Sequence, residues 1–109
     1  MNEMSGLSAM ARGEAASLRR ALHRQERSGP AKWRAQAFAV FANYCYSEHI
    51  KPFERQYSDS ALADRMNALG VPCYRGTAPW SEAKIQGIRK GLPRHVADIV
   101  DKGRRTTVS

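Results

Sequence analysis

Apolar residues recur every three or four positions over most of the chain, which is the spacing of helices that bury one face. The first such stretch runs from Glu14 to Glu26, and its apolar positions are Ala15, Leu18, Ala21 and Leu22. Residues 1–13 show no clear period, and residues 102–109 are polar and basic. We therefore predict a first helix over residues 14–26 and expect both ends of the chain to be flexible.

The most apolar stretch of the chain predicts a second helix over residues 30–49. Ser28 or Gly29 is expected to cap it. Pro30 suits its first turn, because backbone N–H groups there have no partner within the helix and proline, which lacks an N–H, costs no hydrogen bond. Lys51 precedes a proline and avoids the helical region, so the helix should end before it. The side chains predicted to form the hydrophobic centre, including two aromatic residues beyond this helix, are Trp33, Ala37, Phe38, Val40, Phe41, Tyr44, Cys45, Phe53 and Tyr57.

Two further helices are predicted from a repeated start signal, a serine cap with an aromatic residue before it and an aliphatic residue four positions after it. Ser58 begins the third helix, over residues 59–69, and Gly70 follows where a left-handed residue is favoured. Ser81 begins the fourth helix, and Pro93 is expected to close it. A fifth short helix is indicated over residues 94–100. The sequence thus predicts an all-α single domain of four or five short helices.

Chain length and charge narrow the function. A chain of 109 residues is long enough for one domain with a modest core. Its 18 Lys and Arg against 10 Asp and Glu give a net charge of +8, which points to a polyanionic partner. The densest imbalance inside a predicted folded segment lies in residues 74–95, with five basic residues and Glu82 as the single acid. This segment is the candidate binding surface.

The third and fourth helices have the organisation of a helix-turn-helix unit over residues 57–92, with residues 14–50 as a helical support. A helix that enters the major groove buries one side and offers hydrogen-bond donors on the other, and the free N–H groups at its start can take a phosphate. The residues predicted to contact bases are Lys84, Gln86 and Arg89. The residues predicted to contact phosphates are Arg75, Ser81, Lys90 and Arg94.

Positions 60–92 carry a more specific pattern, made of Leu62-Ala63, Met66-Asn67, Gly70-Val71-Pro72, Arg75-Gly76, Trp80-Ser81, Ile85 and Ile88. This pattern resembles the helical DNA-binding region that follows the catalytic domain of large serine recombinases. The segment before the fourth helix departs from the usual form, being one residue longer and having Cys73-Tyr74 where Thr-Pro is common. Since the chain has no room for the recombinase catalytic domain, the resemblance implies DNA binding without recombination.

The cysteines and histidines suggest no cofactor. Cys45 and Cys73 lack a paired spacing and no signal peptide precedes them, so a cytoplasmic location is expected. With His49 and His95 they make a weak zinc candidate, because the tight knuckle spacing of structural sites is missing. Buried or idle cysteine is favoured. The longest apolar stretch, residues 35–45, is too short to span a membrane.

No nucleophile motif accompanies the histidines, so an enzyme is not expected. Trp80 is expected to anchor the core or a turn rather than to stack on a base. The outward cations of the fourth helix are a DNA-contacting face or, alternatively, an ordinary solvated face.

We therefore expect a sequence-specific reader of double-stranded DNA, most simply a transcriptional repressor or autoregulator of bacterial or mobile-element origin. A homodimer through the helices at residues 14–26 and 30–49 is a further expectation. The alternatives are an architectural or accessory DNA-binding factor, and a phage or plasmid protein-binding inhibitor or adaptor.

Overall fold

The computed structural model describes the backbone of residues 2–94 and the side chains of residues 13–94. Four α-helices run through this part of the chain: α1 (Asn2–Arg27), α2 (Lys32–Cys45), α3 (Asp59–Ala68) and α4 (residues 82–94). No strand occurs within the described residues, and the predicted all-α class is confirmed. The fifth helix predicted over residues 94–100 lies outside them, apart from its first residue.

Helix α1 begins at Asn2, so residues 2–13, for which the sequence predicted no helix, are helical. Residues 2–13 are rich in good helix formers such as Met, Leu, Ala and Glu. A helix already nucleated downstream gains one hydrogen bond for each residue that it adds, so its extension needs little further stabilisation. The lack of a hydrophobic period in this stretch indicates only that the helix has no apolar face there, and it does not argue against a helix.

The joint between α1 and α2 differs from the predicted cap. The Ser28 hydroxyl donates to the Gln25 carbonyl at 3.2 Å, so it satisfies an end of α1 and does not cap α2. Helix α2 starts at Lys32 instead, after Ala31, whose side chain makes no capping bond. The serine hydroxyl lies nearest the unpaired carbonyls of the helix that precedes it, and it bonds to them.

The second predicted helix is not continuous. It ends as an α-helix at Cys45 and passes into a wider π-helical turn, Tyr46–Ile50, followed by a 3-10 turn, Lys51–Phe53. Both His49 and Ile50 are buried. Regular α spacing from Cys45 would place only the first of these two on the same face, and the wider turn brings both to the core.

The core forms where the four helices and the segment between α3 and α4 meet. Its largest fully buried side chains are Phe41, Ile50, Leu62, Met66, Ile85 and Cys45. Ala15 and Leu22 contribute from α1, and Phe53 packs on the edge of the cluster, as predicted. Burying one such aliphatic or aromatic side chain stabilises the fold by about 1.5–3 kcal/mol, so this cluster holds the helices together.

Three aromatic residues predicted to lie in the core are placed elsewhere. Tyr57 is 43% exposed and Phe38 is 39% exposed. The Trp33 ring is half-buried against Gly29, where a Cβ would stand 1.8 Å from a ring carbon. Trp33 and Phe38 occupy opposite margins of the stripe centred on Phe41, which explains why neither is fully covered.

The start signals of α3 and α4 are confirmed. Ser58 Oγ accepts the N–H of the third residue after it at 3.2 Å, and Ser81 Oγ does the same at 3.3 Å. Gly70 has a φ of 77°, the left-handed conformation predicted after α3. Helix α4 continues through Pro93 to the next residue, so the predicted stop is wrong. The φ of proline is compatible with a helix, and the chain loses only one hydrogen bond there.

The fold should lose stability on mild acidification because of His49. Its side chain is 6% exposed, and within the described part of the chain Nε2 has no hydrogen-bond partner. Burial and the charge of Arg65 lower the pKa of His49 below 6.5, against smaller opposing effects of Glu48 and Glu14. The unfolded chain therefore takes up this proton first, and stability falls as the pH drops below about 6.5.

Replacing His49 with Gln should remove most of this dependence. Thermal unfolding of both proteins between about pH 7 and about pH 5 would measure it. The melting temperature of the natural sequence should fall more steeply than that of the variant. Parallel pH profiles would contradict the prediction and assign the acid sensitivity to other groups.

Candidate nucleic-acid interface

The segment between α3 and α4, residues 69–81, is called the connector below. Its two ends are held together by Asn67, which lies in the last turn of α3. Asn67 Oδ1 accepts the N–H of Trp80 at 2.8 Å, and Asn67 Nδ2 donates to the Trp80 carbonyl at 3.0 Å. This pair of hydrogen bonds, called the Asn67 clamp below, fixes where α4 begins relative to α3.

Trp80 closes the connector a second time. Trp80 as a whole is 6% exposed, and its indole Nε1 donates to the Val71 carbonyl at 3.0 Å. The expectation that Trp80 anchors the core or a turn is confirmed. Buried Trp needs a partner for its N–H, and here the partner is the backbone of the connector itself.

Helix α1 contacts the connector through a polar stripe, which we define as Arg19, His23 and Glu26. Arg19 donates to the Cys73 carbonyl, and His23 Nε2 donates to the Tyr74 carbonyl, each at 2.9 Å. Positions four and three residues apart lie on one helix face, so the stripe forms one continuous contact. The sequence reasoning did not identify this role. The only feature of the sequence that could have indicated this role is the spacing of these three residues.

Glu26 is the electrostatic centre of this contact. It accepts hydrogen bonds from the Tyr74 hydroxyl and from Arg75, the latter at 2.7 Å, and its side chain is 11% exposed. Burial raises the pKa of Glu26, but the bonds from Arg75 and Tyr74 and the charges of Arg75 and His23 outweigh it and hold the pKa below 4.5. Burial and the bond to Glu26 raise the pKa of Tyr74 above its usual value.

Two of the three residues predicted to read bases turn back onto their own chain. Lys84 Nζ lies 3.1 Å from the Pro79 carbonyl and 3.4 Å from Cys73 Sγ. Arg89 forms a salt bridge with Asp59 at 2.7 Å, and this bond raises the pKa of Arg89. A second acid, Glu54, lies 3.5 Å from the same guanidinium. These partners tie α4 to the connector and to the start of α3.

The remaining predicted contact residues are exposed. Gln86, Lys90 and Arg94 follow one another at four-residue intervals, so they form a single stripe along the outer face of α4. Ser81 is exposed at the start of the same helix. Arg75 is 43% exposed on its side chain, and its guanidinium is already paired with Glu26. The structure therefore gathers three of the seven predicted contact residues on one open helix face.

Metal and membrane features can be assessed for the described residues. Within them, no group of three or more His, Cys, Asp or Glu side chains could hold a metal ion. Cys45 and Cys73 are buried and free, and burial raises the pKa of the Cys45 thiol. His95, the fourth member of the weak zinc candidate, lies outside this part of the chain. No described helix has the length and apolar character needed to cross a membrane.

Comparison with known proteins gives no match among protein-family models, curated proteins or solved structures. The geometry of its own residues is therefore what bears on function.

Replacing Glu26 with Gln should destabilise the protein near neutral pH but not in acid. A carboxyl whose folded pKa lies below 4.5 stabilises the fold above that value, and its contribution is lost as the pH falls through the folded pKa. Denaturant unfolding at about pH 7 and about pH 3 would measure the difference. Asp64→Asn, at an exposed position of α3, is the control and should show no such gap. An equal loss at both pH values would contradict the charge-based role of Glu26.

Replacing Asn67 with Ala should cost about 1–3 kcal/mol of folding free energy, because both the N–H and the carbonyl of Trp80 lose their partner. Chemical denaturation with tryptophan fluorescence as the readout would report it. Helix α3 has no second asparagine that could serve as a matched control. Gln86→Ala, on the open face of α4, is the comparison instead and should change stability little. A loss for Asn67→Ala no larger than for Gln86→Ala would contradict the clamp.

Proposed function

We propose that the protein binds duplex DNA through the unit at residues 57–92, with α4 lying in the major groove. The observation that carries this proposal is the open stripe of Gln86, Lys90 and Arg94 on a helix whose opposite face is buried. Ile85 and Ile88 anchor that face in the core. The net charge of +8 and the resemblance of residues 60–92 to a recombinase DNA-binding region support the same function.

In this proposal Gln86 is the main base-reading residue. A glutamine amide can donate and accept at once, which suits the two groups that adenine shows in the major groove. Its neighbours Ala83 and Gly87 are exposed and small, so the helix can approach the base edges closely. Gln86 Nε2 bonds to Glu82 at 3.3 Å on the exposed surface, a contact that DNA can replace.

Lys90 and Arg94 would hold phosphates, together with Ser81 at the start of α4 and Arg75 in the connector. Lys84 and Arg89 were also predicted to read bases, and for this they would have to exchange their intramolecular partners for DNA. Since Arg89 is paired with an acid of α3, its first effect is to position α4. A base contact by Arg89 then requires that this pair open.

Sequence-specific binding would make the protein a repressor or autoregulator. A homodimer through α1 and α2 would place two copies of α4 on successive turns of the duplex, about 34 Å apart. Sedimentation of the protein with and without a palindromic site would show whether one or two chains bind.

The test is fluorescence anisotropy with a randomised duplex pool and with the sequence selected from it, at two salt concentrations. We expect the selected duplex to bind about 1,000-fold more tightly than the pool. Gln86→Ala should cost about 1–3 kcal/mol at one base pair, whereas Lys90→Ala should weaken all sequences alike and reduce the salt slope by about one.

Arg24→Ala is the control for Lys90→Ala, because it removes one exposed cation from α1, outside the proposed interface. It should weaken binding less than Lys90→Ala does. Equal losses for the two variants would contradict the assigned face. Weak binding without sequence preference, lost at moderate salt, would contradict specific recognition and favour an architectural factor or a protein-binding adaptor.

A further inference from the structure

A groove of about 850 Å³ lies between α2, the connector and α4. Aromatic and aliphatic side chains form its floor, chiefly Phe38, Phe41 and Ile88. Phe38 is 39% exposed, so part of this apolar surface faces solvent. Sites for small organic molecules have volumes of about 300–1,000 Å³ and are lined mainly by such side chains. The groove has both properties.

The open space comes from glycine and alanine on the two facing helices. Gly87 and Gly91 line the groove from α4, Ala35 lines it from α2, and Ala31 lines it from the position just before α2. A Cβ added to Gly87 would meet no atom within 4 Å, so close packing does not require this glycine. A glycine inside a helix costs about 1 kcal/mol relative to alanine. Because Gly87 has no side chain, space remains above the aromatic floor of the groove, and a larger side chain at this position would fill that space.

The rim of the groove is basic. Its charged residues are Arg34, Arg75, Lys84 and Arg94, and no acidic residue belongs to the described lining. Arg75 is paired closely with Glu26 and Lys84 with the connector, whereas Arg34 makes only a longer salt bridge to Glu26, so Arg34 and Arg94 are the cations most accessible to a ligand. Arg34 is 70% exposed on its side chain, at 3.9 Å from Glu26, and Arg94 is exposed at the far end of α4.

We propose that this groove binds a small amphipathic organic anion, with an apolar ring system or chain and one acidic group. The apolar body packs on Phe38, Phe41 and Ile88, and the anionic group meets Arg34 or Arg94 at the rim. The apolar floor and the positive rim together select this class, because an inorganic anion gains nothing from the floor and a neutral hydrocarbon gains nothing from the cations. This inference is independent of whether the protein binds DNA.

The test uses two dyes with the same ring system. Anilinonaphthalene sulfonate carries an acidic group, and N-phenylnaphthylamine carries none. In a fluorescence titration of the full chain we expect saturable binding of the sulfonate at one molecule per chain, about tenfold or more tighter than the neutral dye, as one charge-assisted contact predicts. Absent or non-saturable binding, or equal affinity for the two dyes, would overturn the proposal.

Gly87→Leu fills the groove and is the decisive variant. Gly13→Leu is its matched control, because Gly13 also lies in a helix and a Cβ there likewise meets nothing within 4 Å. Gly87→Leu should weaken binding of the sulfonate at least about tenfold while Gly13→Leu leaves it unchanged. Ala35→Leu fills the same space from the exposed side of α2 and should act in the same way, which keeps the test valid if one variant folds poorly.

The double variant Arg34→Gln with Arg94→Gln separates charge from packing. It should weaken the sulfonate about tenfold and leave the neutral dye unchanged. Losses of the same size for both dyes would show that the cations act only through the fold and would overturn the assigned rim. Binding that survives both Gly87→Leu and Ala35→Leu would place the dye elsewhere and overturn the site.

Discussion

The ten residues from Val71 to Trp80 are partly buried and have no regular helix or strand to pair their backbone groups. Buried N–H and carbonyl groups without partners cost free energy, so the surrounding elements must supply them. Asn67 binds both backbone polar groups of Trp80, and the polar stripe of α1 binds the carbonyls of Cys73 and Tyr74. The orientation of α4, and with it the open face and the groove, depends on these bonds.

The same contacts decide which charges are available to a partner. A net charge of +8 suggests a uniformly cationic surface, but several cations are committed inside the fold. Arg19 bonds to the connector, Arg75 bonds to Glu26, and Arg89 bonds to Asp59. Lys90 and Arg94 remain exposed. Counting charge along a chain therefore overstates the cationic surface, because long cationic side chains also donate to carboxylates and backbone carbonyls of their own fold.

Features that depend on a few neighbouring residues could be predicted from the sequence. The caps at Ser58 and Ser81 and the left-handed Gly70 are set by local backbone chemistry, and each was placed correctly. The all-α class also followed from periodicity. The π-helical turn at Tyr46–Ile50 could not be predicted in this way, because it arises from the need to bury two adjacent side chains against a core assembled from distant segments.

The pairing of side chains across the fold also could not be predicted from the sequence. Arg89 and Asp59 are thirty residues apart, and Arg75 and Glu26 are forty-nine apart. Helical periodicity identifies the face on which a cation lies, but not the acid that another element brings within reach of it. This is why Arg89 was assigned an outward role although Asp59 holds it. Gln86 and Lys90 have no such acid on a neighbouring helix in the described chain and remain on the open face.

The polar stripe of α1 also limits how far the second half of the chain can be treated as a separate module. A fragment containing only α3, the connector and α4 would retain the Asn67 clamp but lose Arg19, His23 and Glu26, together with the partners they give to Cys73, Tyr74 and Arg75. Transplanting α4 into another scaffold would therefore require α1 to be carried with it. The smallest portable unit is discontinuous in sequence, and any design that borrows it has to preserve that three-residue face.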